Sequence, residues 1–425
     1  MVRGWMQHLG PTTCYELNKL LSLDVSSIEQ ALLKLESSGL ILRGHFRTPA
    51  RGETEWCERR LLARIHRMTL GRLHREIQPV SAAEFMRWLL KWQHLAPETR
   101  LSGEQGLLEV IKQLQGFEIP ANAWEQQIFA KRIKDYDRDM LDRLCLTGAV
   151  GWGRLSPHAA VTEPESVMTS NDALPRNTKR IMPTSVAPIT FFIREEADWM
   201  AGPVYHEENL ARLSHAAKSI YNYLKQRGAS FFTDIARGVN KLKAEIETGL
   251  WELVTAGLVT ADGFDNLRAL IDPRRRSDKR RRRIQTRFSS GRWSLLYGHE
   301  PAPEPEQLEA ACWMLLKRYG VVFRDLIVRE KNSPRWRDLL NMFRRMEARG
   351  DIRGGRFVDG FLGEQFALPY AVDSLRAIKK QNPCDEITEF YAVDPLNLAG
   401  IVLPGPRIPA TSGKKLTLLN GVISS

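Results

Sequence analysis

Residues 339–357 read LLNMFRRMEARGDIRGGRF, residues 246–264 read IETGLWELVTAGLVTADGF, and residues 28–46 read IEQALLKLESSGLILRGHF. The three align without a gap when Gly39, Gly257 and Gly350 are taken as a common origin. Eleven residues earlier stand Ile28, Ile246 and Leu339; seven earlier, Leu32, Leu250 and Phe343; four earlier, Leu35, Leu253 and Met346. Steps of four and three place these side chains on one helix face. Glycine then supplies the left-handed residue that ends the helix. Seven residues on, each copy has a phenylalanine (Phe46, Phe264, Phe357), preceded by a β-prone stretch and a further glycine, Gly44, Gly263 or Gly355.

Upstream, Gly10, Gly228 and Gly320 precede the helix-ending glycines by 29, 29 and 30 residues. Short helical patterns follow them: TTCYELNKLL, SFFTDIARGV and VVFRDLIVRE. Helix, short helix, longer helix and hairpin make a winged helix, in which the longer helix is the one able to enter a major groove. Such units also serve as packing or protein-contact modules, so each copy has two readings. The third looks most like a reader of nucleic acid. Its long helix carries Arg335, Trp336 and Arg337 near the start and Arg344, Arg345 and Arg349 later, and its wing adds Arg353 and Arg356. The first copy has Glu29 and Glu36 against Lys34 on the equivalent helix and reads as structural.

The chain's 425 residues, 43% hydrophobic and 26% charged, are enough for two to four domains with cores of their own. Its net charge of +12 favours a polyanionic partner. Much of that excess is local. Arg274, Arg275, Arg276, Lys279, Arg280, Arg281, Arg282, Arg283 and Arg287 face a single acid, Asp278, so this one segment holds +8 of the +12. It reads either as a solvated spacer or as a phosphate-backbone contact driven by counterion release. The second is preferred, because a bound polyanion relieves repulsion among so many guanidiniums.

Between the first two copies the pattern is helical. ERRLLARIHRMTLGRLHREI gathers Arg60, Arg64, Arg67 and Arg75 on one arc, and VSAAEFMRWLLKWQHL opens with a Ser81 cap. From Ala149, short β-type runs (AVGWGRLSPHAAV, PITFFIRE, GRWSLLYG and the C-terminal stretch from Pro395) predict one small β-barrel assembled from separated segments. The expected fold is α+β, mainly α: winged helix 1 over 1–57, a helical region over 58–148, and a β-type segment with a loop over 149–200. Winged helix 2 follows over 201–272, the basic linker over 273–288, a strand plus winged helix 3 over 289–370, and a C-terminal β-type segment over 371–425.

Several chemistries find no support. No apolar run is long enough to span a membrane, and the start lacks the apolar core of a signal peptide. Five scattered cysteines fit neither a zinc site nor a disulfide framework and suit a reducing cytoplasm. No G-x-x-x-x-G-K-S/T occurs, so these residues hold no ATPase loop, and neither a metal nor a cofactor is expected. Asp385-Glu386-Ile387-Thr388 reads as a solvated loop.

EWCERRLLARIHRMTLGRLHREIQPVSAAEFMRWLLKWQHL, LLEVIKQLQGFEIPANAWEQQI, LDRLCLTGAVGWGRL, LLKRYGVVFRDLIVRE, GDIRGGRFVDGFLGEQFALPYAV and DPLNLAGIVLPGPRIPA together resemble the bacterial large helicase-related (Lhr) proteins. The resemblance runs from about residue 5 to residue 420 and covers the region that follows the helicase motor. It implies DNA repair, single-stranded DNA as the partner, a tetrameric assembly, and a motor carried elsewhere. A more distant resemblance connects the chain to AlkZ-type winged-helix DNA glycosylases, whose pattern is Gln-x-Gln or Gln-x-Asp. Gln115 matches the first glutamine, Phe117 stands at the second polar position, and Glu118 is adjacent; Gln113-Leu114-Gln115 has the spacing one register earlier. Phenylalanine cannot position a water, and Asn420-Gly421 replaces the Asp-Gly of relatives. Three functions are therefore carried forward: a DNA-binding portion of an Lhr-type repair helicase, a uracil or alkyl-base glycosylase acting through Gln115 and Glu118, and an oligomerisation scaffold.

Overall fold

The computed structural model describes residues 1–47, 53–75, 78–156, 187–200, 210, 213–265, 267–268, 291–297, 303–380, 387–410 and 413–424. The chain forms two compact units, Met1–Gln78 and Pro79–Ser425. The fold is α+β and built on winged helices.

In the first unit, helices Val2–Met6, Cys14–Leu21 and Val25–Ser37 pack on a sheet of strands Thr12–Thr13, Glu55–Glu58 and Ile41–Gly44, in that spatial order. Thr13 caps the second helix reciprocally with Glu16: its hydroxyl accepts from the Glu16 amide at 3.2 Å, and the Glu16 carboxylate accepts from the Thr13 amide at 3.0 Å. Ile28 and Leu32, the predicted inward positions, are fully buried with Leu17, Ile41 and Trp56. Gly39 has φ +69° in open space, so its conformation, not crowding, calls for glycine. A further helix, Arg59–Arg75, follows, with Arg60, Arg64 and Arg67 of the expected arc exposed.

The second unit repeats the plan. One winged helix comprises helices His215–Arg227, Phe232–Val239 and Lys243–Thr255, with strands Ser230–Phe231, Arg292–Leu295 and Val259–Ala261. Another comprises helices Glu304–Tyr319, Arg324–Ile327 and Trp336–Arg349, with strands Val321–Val322, Gln365–Ala367 and Arg353–Gly355. In each sheet the last strand in sequence lies in the middle, paired antiparallel to both others.

Three expectations need correcting. First, Arg292–Leu295 does not group with the third winged helix; it is the returning wing strand of the second, with Val259 opposite Leu295 and Ala261 opposite Trp293. The basic segment therefore joins the two strands of one wing rather than linking two domains. Second, the region ending at 148 is not simply helical. Helices Gly103–Leu114 and Arg138–Leu146 belong with strands Ile119–Pro120, Pro188–Ile193 and Val150–Gly153, which show the same strand order. This is a further winged helix, its second helix opening into a π turn over Trp124–Phe129. Third, the β-type segments form no closed barrel among the described residues. They fall into separate three-stranded sheets.

The winged helices at 103–193 and 213–295 share one core in which Trp152, Phe191 and Phe264 meet edge to face, with Phe191 and Phe264 ring centroids 5.0 Å apart. Arg268, 6% exposed, closes the seam by donating to Glu125 and Asp142 at 2.9–3.1 Å. Without it Glu125, 9% exposed, would keep only the Tyr136 hydroxyl at 3.2 Å and a long pair with Arg138 at 3.8 Å.

Helix Ala82–Trp92, capped by Ser81 and Glu84, packs on helix Pro369–Lys379; Trp88 donates to Ser374 at 2.9 Å, and Trp92 stacks on Tyr370. The C-terminal part is an antiparallel meander of Ile387–Tyr391, Lys415–Leu419 and Val422–Ser424. Ile387 and Thr388 thus begin a strand, and Thr388 is buried, whereas Asp385 and Glu386 lie outside the described residues. Between its first two strands, Asp394 pairs bidentately with Arg132 at 2.7–2.8 Å, both wholly buried.

Candidate nucleic-acid interface

The helix Trp336–Arg349 follows Pro334, whose ring biases the preceding residue away from helix, and has Arg335 as its extended N-cap residue. Leu339, Met342, Phe343 and Met346 face the core. At roughly 100° per residue, Arg337, Asn341, Arg344 and Arg345 line the opposite side, and all four are exposed. The wing is fastened to this helix from below. Glu347, 8% exposed, accepts from the Gly354 amide at 3.0 Å. A Cβ on Gly354 would meet that carboxylate, so any larger residue here would push Glu347 off the amide it holds. Arg353 and Arg356 then project from the wing, both exposed.

The arginines divide into two groups. Arg344 donates to Glu364 at 3.0 Å, and Arg349 donates to Asp351 at 2.7 Å and Glu309 at 3.1 Å; these partners hold both guanidiniums more firmly protonated than usual. Arg335, Arg337, Arg345, Arg353 and Arg356 have no ion pair among the described residues. Trp336 is half-buried and tilts against Phe343 at 6.3 Å, so much of its ring is already engaged. Arg274, Arg275, Arg276, Lys279, Arg280, Arg281, Arg282, Arg283 and Arg287 lie outside the described residues. The described ends of their segment are anchored by Arg268, as above, and by Arg292, which donates to Asp262 at 2.9 Å.

The equivalent helices of the winged helices at 213–295 and 103–193 differ. Lys243–Thr255 buries Leu250, Trp251, Leu253, Val254 and Thr255, leaving only its first turn, Lys243 to Glu245, broadly exposed. Arg138–Leu146 shows mixed charge, and its Arg143 donates to Glu104. Neither offers a free basic face.

Gln115 and Glu118 are occupied in holding the fold. Gln115, 2% exposed, accepts through its side chain from the Ile193 amide at 3.2 Å, and its carbonyl accepts from Arg318. Glu118 accepts from the amides of Leu155 at 2.7 Å and Ser156 at 3.0 Å, from the Ser156 hydroxyl, and from Asn332 at 3.1 Å. Phe117, between them, lies under the guanidiniums of Arg318 and Arg329, 5.4 and 5.8 Å from its ring centre. Asn420 has φ +51° and lines a small concavity with Arg87, Lys91 and Thr388, to which neither Gln115 nor Glu118 contributes. Its buried amide oxygen has no hydrogen-bond partner among the described residues. No group of three or more His, Cys, Asp or Glu among the described residues is arranged to hold a metal, and no described helix is long and apolar enough to cross a membrane.

Fold and face together define a protein of tandem winged helices, one of which, among the described residues, exposes a basic face on its long helix and wing. Residues 80–169 and 301–387 each match a family model described as the winged-helix domain of the large helicase-related protein. The first match falls on the winged helix that the repeat spacing did not reveal. Along 93% of its length the chain is 30% identical to a Mycolicibacterium smegmatis protein named Lhr helicase/probable uracil glycosylase. Along 94% it is 29% identical to the Escherichia coli Lhr helicase/uracil glycosylase. The chain is an Lhr-type C-terminal region, and it spans about a quarter, 26%, of the length of either relative.

Proposed function

We propose that this chain is the DNA-binding portion of an Lhr-type repair helicase, holding single-stranded DNA on the winged helix that carries Trp336–Arg349 and on the basic wing segment of the winged helix before it. The observation that carries the reading is the set of exposed arginines, Arg335, Arg337, Arg345, Arg353 and Arg356, with no ion pair among the described residues. Guanidiniums left unpaired beside one another repel, and a phosphate backbone that displaces its counterions relieves the repulsion. In this reading Arg344 lends charge while tied to Glu364, and Trp336 orients the helix start more than it stacks on a base. The motor that would translocate the strand, and a tetrameric assembly, belong to the same proposal.

The test is an anisotropy titration of a labelled single strand against salt. The slope of log affinity on log salt is expected to fall by about 0.7 for each phosphate contact removed by substituting one of these arginines. A slope unmoved by any of the five substitutions overturns the reading.

Base excision is the second reading, and the names of the two relatives favour it. The bonding of Gln115 and Glu118 argues against those residues as its agents: the Glu118 carboxylate already accepts four hydrogen bonds, and the Gln115 side chain, 2% exposed, is turned onto the Ile193 amide. Incubating the chain with a uracil-containing single strand is expected to leave no abasic sites; their appearance, retained in Gln115→Ala and Glu118→Gln, would place the chemistry elsewhere in the chain.

A further inference from the structure

The wing of the third winged helix ends in Gly360-Phe361-Leu362-Gly363. Leu362 is 81% exposed, one of the most solvent-open large apolar side chains among the described residues. A tip that merely flexed would need no support, yet this one is held on three sides. Gln365, wholly buried, accepts from the amides of Phe357 and Val358 at 2.9 and 2.8 Å and donates to the Val358 carbonyl at 2.8 Å. Val80 bridges the same stretch, donating to the Phe357 carbonyl and accepting from the Asp359 amide, both at 2.8 Å. Phe361 turns inward onto Phe323, ring centres 4.5 Å apart. Gly360 and Gly363, at φ +88° and +93°, then turn the chain outward on either side of Leu362.

We infer that Leu362 is a wedge that inserts between bases at a junction of duplex and single-stranded nucleic acid. The inference rests on the reading of the third winged helix as a nucleic-acid interface. Apolar side chains such as leucine and phenylalanine, set among basic groups that hold the backbone, are the ones that wedge into and unstack a base step. Arg353 and Arg356 stand exposed on the same wing; of its two acids, Glu364 is neutralised by Arg344, and Asp359 alone remains uncompensated among the described residues. Unstacking costs least where a base pair already lacks a neighbour, and a single leucine can part only one step. A junction therefore suits this wing better than a continuous helix.

The test uses the full chain and a partial DNA duplex with 2-aminopurine at the first paired position. Saturating wild-type protein is expected to raise the probe's fluorescence several-fold, and Leu362→Phe to keep the rise. Leu362→Ser is expected to abolish it and to weaken junction binding by about fivefold, with binding to a plain single strand unchanged. A wild-type complex without the rise, or a Leu362→Ser complex that retains it, overturns the wedge. The double variant Arg337→Ala/Arg345→Ala separates the two levels. If it leaves affinity unchanged, the interface itself is wrong; if it weakens binding while Leu362→Ser keeps the signal, only the wedge is wrong.

Discussion

The first and third winged helices have the same interior and opposite exteriors. Ile28 and Leu32 in one, and Leu339 and Phe343 in the other, occupy the same inward positions and are equally buried. Outward, helix Val25–Ser37 exposes Val25, Leu33 and Glu29, and Glu36 pairs with Arg43 at 3.2 Å. Helix Trp336–Arg349 exposes Arg337, Asn341 and Arg345. One pattern of apolar spacing specifies the fold; an independent pattern on the far side of the same helix decides what it meets.

The comparison breaks most visibly if the interiors are not equivalent. Phe343→Ala and Leu32→Ala are each expected to destabilise by about 3 kcal/mol, since both empty a closed core position. Chemical denaturation followed by tryptophan fluorescence measures this, and a loss confined to one of the two would end the parallel. Charge reversal comes next. Arg337→Glu with Arg345→Glu should cost on the order of 100-fold in single-strand affinity at low salt, whereas Glu29→Gln with Glu36→Gln should leave it unchanged in the same titration.

Smaller effects sharpen the contrast at the helix starts. Thr13→Ala removes a reciprocal cap and should cost about 1 kcal/mol; Arg335, at the start of the third copy's long helix, makes no side-chain cap bond, so Arg335→Ala should leave the melting temperature unmoved. The subtlest prediction concerns Glu16. Its hydrogen bond from Arg47 lowers its carboxyl from the usual 4.5 to about 2. A depressed folded-state value stabilises the fold above the unfolded one, so that contribution should fade as pH falls from 4.5 toward 2. Carboxyl chemical shifts should show the Glu16 midpoint near 2 in the wild type and nearer 4.5 in Arg47→Ala.

Three winged helices were legible in the sequence because their glycine, apolar and phenylalanine positions share one spacing. The copy at 103–193 escaped for identifiable reasons. Relative to Gly148, Asp137 stands at the first inward position and Leu155 where phenylalanine recurs; the glycines Gly116 and Gly148 are 32 residues apart, not 29 or 30, with the π turn between them. The basic character of the interface was legible, but the division of its arginines was not. Whether Arg344 is paired and Arg345 is not depends on Glu364, which the wing brings back from 20 residues away. Gln115 illustrates the same limit: its partner, the Ile193 amide, is 78 residues distant, and no local spacing reveals that bond.

The placement of the final strand at the centre of each winged-helix sheet has an evolutionary corollary. Because both neighbours grip that strand, the turn leading to it can lengthen without loosening the sheet, and closing a loop three or four times longer adds only about 1 kcal/mol of entropy. Wings are thus where this architecture accepts new sequence cheaply. The two long insertions, one following Gly153 and the other carrying the arginine-rich run before Arg292, stand at this position in adjoining copies. A lineage could change what it captures by editing those turns while the duplicated framework beneath stayed the same.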